Sequence, residues 1–250
     1  MRRLLLIAAL LPNCVQADDI VRLAVASNFV RTAQELSQYF SASSAIDVRI
    51  SSGSTGKLYA QIVNGAPFDV FLAADAERPH LLEQHGYAVQ GSRVTYATGT
   101  LVLWSGDKSL AGRDCREVLQ SGDYRHLALA NPATAPYGAA AKMYLEEAGL
   151  WEAASERAVY GENIAQTLQF VATGNATLGF VAEPQLRQRG LPPTSCAWPV
   201  PVTDESRLEQ QLVLLSTAAG NKAAHDFVEF LASEQARAII ARSGYVVPGR

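Results

Sequence analysis

Short apolar runs recur along the chain, and between them the apolar spacing lengthens to the period of a helix. Residues 19–26 (DIVRLAVA) predict a strand, closed by Ser27-Asn28. From 29 to 40, Phe29, Ala33, Leu36 and Phe40 fall on one helical face, with Arg31, Gln34, Glu35 and Gln38 elsewhere. Residues 47–51 alternate as a short strand. The turn 51–56 (SSGSTG) then leads into a helix over 57–64, a strand at 69–73 and a short helix at 79–85. This order predicts an α/β fold on a parallel sheet covered on both faces.

The alternation starts again near Tyr96, with strands predicted at 100–105, 127–130, 158–160 and 178–181 and helices at 139–147 and 162–173. A short helix is also expected to end near Ser121. The apolar strand at 210–215 resembles 100–105 in length and character, and the two are expected to pair as the crossing between two lobes. Helices at 222–232 and 233–241 carry Ala224, Phe227, Val228 and Leu231 on an apolar face and should close the first lobe. The expected organisation is lobe one over 18–99, lobe two over 100–202, and a return segment over 203–250. A chain that leaves one lobe and comes back places its natural binding site in the cleft between them.

Composition narrows the function. With 48% hydrophobic and 18% charged residues in 250, there is ample material for a core. A net charge of −3 leaves no basic excess for a nucleic-acid groove or a polybasic membrane face. At the N-terminus, Arg2 and Arg3 precede an apolar run over 4–11, and Val15-Gln16-Ala17 follows. This pattern predicts a secretory signal cut after Ala17 and export to the periplasm. Eight residues span only about 12 Å of helix against a hydrocarbon core of roughly 30 Å, too little for a membrane anchor. Lipid attachment at Cys14 is a rival reading, opposed by Pro12 and Asn13. The mature chain keeps 19 basic and 24 acidic side chains and two cysteines, Cys115 and Cys196. In an oxidising compartment that pair is expected to form a disulfide, with two free buried thiols as the alternative.

Candidate chemistry gathers where strands end: Ser27-Asn28, 51–56, the segment from Asn131 to Gly138, and Gly161-Glu162-Asn163. In an open α/β sheet, ligands bind beyond the carboxyl ends of the strands, where helix N-termini present free N–H groups. These turns hold hydroxyls and glycines but almost no Arg or Lys. Lys57, one residue inside its helix, is expected to point to solvent. Neutral donors suit a small deprotonated oxyanion, each bond to a charged acceptor contributing about 1.5–3 kcal/mol. Taken singly, Ser27 and Thr55 read equally well as helix caps, Gly53 and Gly56 as turn glycines, and Tyr137 as a surface aromatic. Their recurrence at the same end of successive strands favours a site.

Enzymatic readings are poorer. Ser27 and Ser54 lie in no G-x-S-x-G context, and no motif flanks His80, His85, His126 or His225. The Gly53–Lys57 stretch lacks phosphate-loop spacing, and Leu58 stands where a magnesium ligand belongs. Asp69 and Asp75 flank a strand and should lie about 20 Å apart, too far to act together. No catalytic residues, resident metal or cofactor are expected.

Four stretches carry a resemblance to the periplasmic molybdate-binding proteins of ABC transporters: residues 25–29 (VASNF), residues 51–75, Asn131-Pro132 with Ala135-Pro136-Tyr137-Gly138, and Gly161-Glu162-Asn163-Ile164. The resemblance covers essentially the whole mature chain. It implies a type II periplasmic binding protein fold, monomeric, whose two lobes close on molybdate or tungstate and deliver it to an inner-membrane permease with its ATPase. It places Ser27, Asn28, Ser54, Thr55 and Tyr137 on the anion, with Asn163 or Ile164 acting through backbone N–H. Some members place a tyrosine donor just after the late lobe-two strand; here Ala182 stands there. Another oxyanion such as sulfate or phosphate, an organic anion, or a secreted hydrolase remain the alternative readings.

Overall fold

The computed structural model describes residues 20–201, 203 and 207–249. The expected signal segment, with Cys14 and Ala17, lies outside the described residues. In chain order the elements are β1 (Ile20–Ala26), α1 (Val30–Ser44), β2 (Asp47–Gly53), α2 (Thr55–Val63), β3 (Val70–Leu72), α3 (Glu77–Gln84), β4 (Val94–Thr98) and β5 (Leu101–Ser105). They continue as α4 (Cys115–Ser121), β6 (Leu127–Ala130), α5 (Pro136–Glu147), α6 (Trp151–Ser155), β7 (Ala158–Gly161), α7 (Ile164–Ala172), β8 (Leu178–Ala182) and β9 (Cys196–Pro199). The chain closes with β10 (Glu209–Leu214), α8 (Lys222–Leu231) and α9 (Glu234–Arg242).

Two five-stranded sheets form, one ordered β2-β1-β3-β10-β4 and the other β7-β6-β8-β5-β9. Neither is purely parallel. In the first, β1 runs parallel to β2 and β3, while β10 is antiparallel to β3 and β4. In the second, β6 runs parallel to β7 and β8, and β5 is antiparallel to β8 and β9. The expectation that 100–105 and 210–215 pair is therefore corrected: β5 and β10 sit in different sheets. Similar apolar composition reflects burial on both faces in each, which says nothing about which strand is the neighbour. The strands β4 and β9 are absent from the sequence reading. Val94 at the start of β4 is exposed and β9 alternates between buried and open positions, so both lack the continuous apolar run of a central strand. Helix α1 also runs on past Phe40 to Ser44, where Ala45 closes it in the left-handed conformation.

Pleating gives each sheet two packed faces. Val21, Leu23 and Val25 of β1 join Leu36 and Phe40 of α1 and Phe227 of α8. Ala24, pointing the other way, packs with Leu58 and Ile62 of α2 and Leu82 of α3. In the second sheet Leu101 and Leu103 face Leu145 of α5, while Val102 and Trp104 face Leu168 and Val171 of α7. Truncating one of the buried leucines, such as Leu23, Leu58 or Leu103, to alanine should cost about 2–5 kcal/mol in a denaturant titration.

The chain passes from the first sheet to the second between β4 and β5 and returns between β9 and β10. The two crossings are tied to each other, with Gly99 N–H donating to the Leu208 carbonyl at 2.9 Å. This double crossover joins the two lobes.

Cys115 at the start of α4 is bonded to Cys196 at the start of β9, with a Cα–Cα distance of 5.5 Å across a sequence separation of 81. The bond fastens the edge strand of the second sheet to the helix covering it. Replacing both cysteines with alanine should lower unfolding free energy by about 2–4 kcal/mol in a denaturant titration. Unfolded but unreduced mature protein should show no reactive thiol; two would overturn the pairing.

Candidate functional site

The carboxyl ends of both sheets face one another across the cleft. A small cavity of about 10 Å³ lies there, lined on one side by Ser27, Asn28, Ser54 and Thr55 and on the other by Ala135, Pro136, Tyr137 and Ile164. Among the described residues that line it, none is Arg or Lys. The lobes are shut on one another. Gly56 N–H in α2 donates to the Thr134 carbonyl before α5 at 2.8 Å. A Cβ at Gly56 would sit 3.0 Å from that oxygen, so this glycine serves close approach of the lobes and not a turn. Ala26 and Ala74 share a packed cluster with Tyr137 and Ile164. Lys57, expected in solvent, instead pairs with Glu162 across the lips of the cleft. The sequence could not foretell that contact because its partner lies on the other lobe.

The capping alternative for the hydroxyls fails. The residue preceding α1 is Phe29 and not Ser27, whose hydroxyl has no protein partner among the described residues. Ser54 occupies the N-cap of α2 but makes no capping bond, and its Oγ is buried with no partner. A buried hydroxyl left unbonded costs about 1–3 kcal/mol unless a ligand satisfies it. Ser54 thus leaves one unmatched hydroxyl in the wall of the cavity. Thr55 is engaged differently: its Oγ1 accepts from Ala74 N–H at 3.1 Å and ties α2 to the end of β3.

On the opposite lobe, Tyr137 in the first turn of α5 is 1% exposed, not a surface aromatic. Asn163 caps α7, its Oδ1 accepting from Ala165 and Gln166 N–H at 3.0 and 3.1 Å. That use turns its side chain away from the cavity. The neighbouring Ile164 lines the cavity, and its N–H and that of Asn28 have no protein acceptor among the described residues. The N-termini of α1, α2, α5 and α7 all begin at this cavity, adding partial positive charge without a formal cation.

Behind the cavity lies a buried polar cluster that sequence reasoning missed. Asn28 Nδ2 donates to Gln210 Oε1 at 2.9 Å and to Tyr245 Oη at 3.1 Å. Tyr245 donates to the Asn28 carbonyl at 2.8 Å. Tyr96 Oη lies 3.0 Å from the Ala73 carbonyl and 3.1 Å from Gln210 Oε1. Gln210 Nε2 donates to Tyr137 Oη at 3.2 Å, joining the lobes. The one signal available was a pair of glutamines opening an otherwise apolar strand. With both Nδ2 hydrogens used inside the protein, Asn28 can offer an anion its backbone N–H and not its side-chain amide. Burial raises the ionisation of Tyr96, Tyr137 and Tyr245 above the ordinary phenol range, so all three are neutral donors at physiological pH.

A wider groove shares Ala74 and Pro136 with this cavity, and its charged lining is Asp75, Glu77, Arg78, Arg207 and Glu209. Asp75 is bonded to Arg78 at 2.6 Å. Burial pushes the Asp75 carboxyl up while Arg78 opposes the shift. That groove mixes three acidic side chains with two guanidinium groups, whereas the lining of the cavity is uncharged, and the cavity is taken as the candidate site.

A cleft of uncharged groups between two joined α/β lobes fits a solute-binding protein, and over residues 21–246 the chain belongs to the bacterial extracellular solute-binding protein family. It is similar to the molybdate-binding protein ModA of Azotobacter vinelandii, 44% identical over 238 residues covering 95% of this chain and 94% of that protein. The Rhodobacter capsulatus molybdate-binding protein ModA is 41% identical over 225 residues, covering 89% and 86%. Among solved structures, the Azotobacter vinelandii periplasmic molybdate-binding protein superposes with a TM-score of 0.84 at 38% identity, covering 92% of this chain and all of that one.

Two predictions follow from the hydroxyl geometry and the phenols. Ser27→Ala and Ser54→Ala should each weaken anion binding by about 1–3 kcal/mol in calorimetry. Neither should lower the melting temperature, because neither hydroxyl bonds to the protein; Thr55→Ala should lower both affinity and melting temperature. For the three phenols, the native state holds its protons more tightly than the unfolded chain. Their contribution is thus intact below pH about 10, the unfolded value, and is lost as pH rises through the folded values. A denaturant midpoint flat across that pH would contradict it.

Proposed function

We propose that this protein captures molybdate or tungstate between its lobes in the periplasm and delivers it to an inner-membrane ABC permease with its ATPase. It is a binding protein and not an enzyme. The observation that carries the reading is Ser54: a buried, unbonded hydroxyl at a helix N-terminus, in a cavity whose described lining holds no Arg or Lys. Ser27 Oγ, Ser54 Oγ, Tyr137 Oη and the N–H groups of Asn28 and Ile164 are the proposed donors, with Thr55 and Asn163 holding the turns that present them. The molybdate-binding names of relatives at 44% and 41% identity select the anion within the class. No helix among the described residues is long and apolar enough to cross a membrane. An expected signal cleaved after Ala17 accounts for export.

Selectivity follows from closure. Molybdate and tungstate are nearly equal in size and charge, and sulfate is smaller. Donors fixed on two shut lobes cannot all reach the oxygens of the smaller ion. Isothermal titration of ligand-stripped mature protein should show tight 1:1 binding of molybdate and tungstate and no heat with sulfate or phosphate. Equal affinity for sulfate would reject the size argument, and turnover of an ester would reject the binding-protein reading.

A further inference from the structure

We propose that Gln210 is a positioning residue that fixes the polarity of Tyr137, turning its hydroxyl proton towards the anion. The inference rests on the oxyanion reading above and deepens it by saying why a phenol, which can donate or accept, serves there as a donor.

The polarity is set at the far end of the buried cluster and passed along it. Tyr245 gives its single proton to the Asn28 backbone carbonyl at 2.8 Å, which cannot reverse its role. Towards the Asn28 side chain, Tyr245 Oη is therefore an acceptor, and Asn28 must face it with Nδ2. The same Nδ2 lies 2.9 Å from the Gln210 amide, which must present Oε1 to it. Gln210 then has only Nε2 left for Tyr137, at 3.2 Å. An N–H pointing at the phenol oxygen occupies one of its acceptor sites and repels the hydroxyl hydrogen. That hydrogen finds no protein acceptor among the described residues, and the cavity is the space Tyr137 faces. Gln210 is 0% exposed, so no water competes for its amide. Gly99 holds the pair together: a Cβ there would overlap the Tyr137 hydroxyl and come within 2.7 Å of Gln210 Nε2.

Reversing the amide would invert the outcome. With Oε1 facing Tyr137, the phenol would spend its proton on Gln210 and turn a lone pair towards the anion. Gln210→Glu imposes that polarity at a pH where its carboxyl is ionised, since a carboxylate can only accept. The effect is carried through Tyr137, which separates a positioning role from a structural one. Gln210 also shares its strand with Leu212 and Val213, whose packing a structural role would perturb irrespective of Tyr137.

The experiment is calorimetry with molybdate on mature protein in six forms: wild type, Tyr137→Phe, Gln210→Glu, the double variant, and Tyr245→Phe with and without Tyr137→Phe. In the wild-type background, Tyr137→Phe should weaken binding about 10- to 100-fold, the loss of one bond to a charged acceptor. In the Gln210→Glu background, the same change should leave affinity unchanged or restore part of it. Tyr245→Phe keeps the ring, removes only the hydroxyl that anchors the relay, and should shrink the cost of Tyr137→Phe several-fold. It covers the case in which Gln210→Glu fails to fold, judged by circular dichroism. A Tyr137→Phe cost that stays the same in these backgrounds overturns the polarity assignment while the oxyanion reading stands. A wild type that binds none of molybdate, tungstate, sulfate or phosphate overturns both.

Discussion

Taking a dianion out of water without a countercharge demands that every group around it point a hydrogen inward, and most of this molecule is arranged to meet that demand. An Arg or Lys would repay desolvation with one strong contact but would serve any anion of the right charge. Neutral donors are individually weaker and directional, so several must be fixed in place at once. The parallel strands β1, β2, β6 and β7 supply that fixing. Each ends at a turn from which a helix begins, and helix starts are where backbone N–H groups go unpaired. The two sheets face each other at those ends, so the unpaired donors of both lobes converge on one point.

Donors on two bodies make binding and closure a single event. Among the described residues, three polar contacts join the apolar packing in bridging the lobes beside the cavity: Gly56 to Thr134, Gln210 to Tyr137, and Lys57 with Glu162. The last joins half-exposed side chains and is worth little by itself. What the bridges share is that separating the lobes breaks all of them and halves the donor set. A partner that pries the lobes apart thus lowers affinity without touching the anion, which is what delivery to a permease requires.

How much of this was legible in the sequence depended on range. Hydrophobic period located most strands and helices because burial against a sheet face is a local constraint on residue type. It failed for β4 and β9, strands at sheet edges with open positions, and it assigned β5 and β10 to each other because two-sided burial makes unrelated central strands look alike. The binding turns were visible as hydroxyls recurring after strands. The division of labour within them was not: Ser54 and Thr55 are adjacent and chemically similar, yet one is unbonded and the other is spent on Ala74 N–H. That distinction depends on where β3 ends relative to α2, a tertiary fact. Asn28 likewise reads as a side-chain donor until Gln210, 182 positions away, is seen to consume its amide.

On the proposed reading, the buried cluster gives long-range partners a share in specificity that the residues lining the cavity cannot supply alone. A serine or tyrosine hydroxyl is indifferent to polarity, and in a loose site it would rotate to welcome a cation's hydration shell or a protonated ligand as readily as a bare oxyanion. Low local dielectric makes an unmatched group expensive, so a network whose every member is satisfied in one sense strongly resists reversal. Here the sense is anchored by a backbone carbonyl and carried by two amides to the phenol of the opposite lobe. The strand that returns from the second lobe to the first is the one that delivers Gln210. The discontinuous topology therefore does more than join the lobes, since it threads through the first sheet the residue that tells the second lobe which way to point its hydrogen.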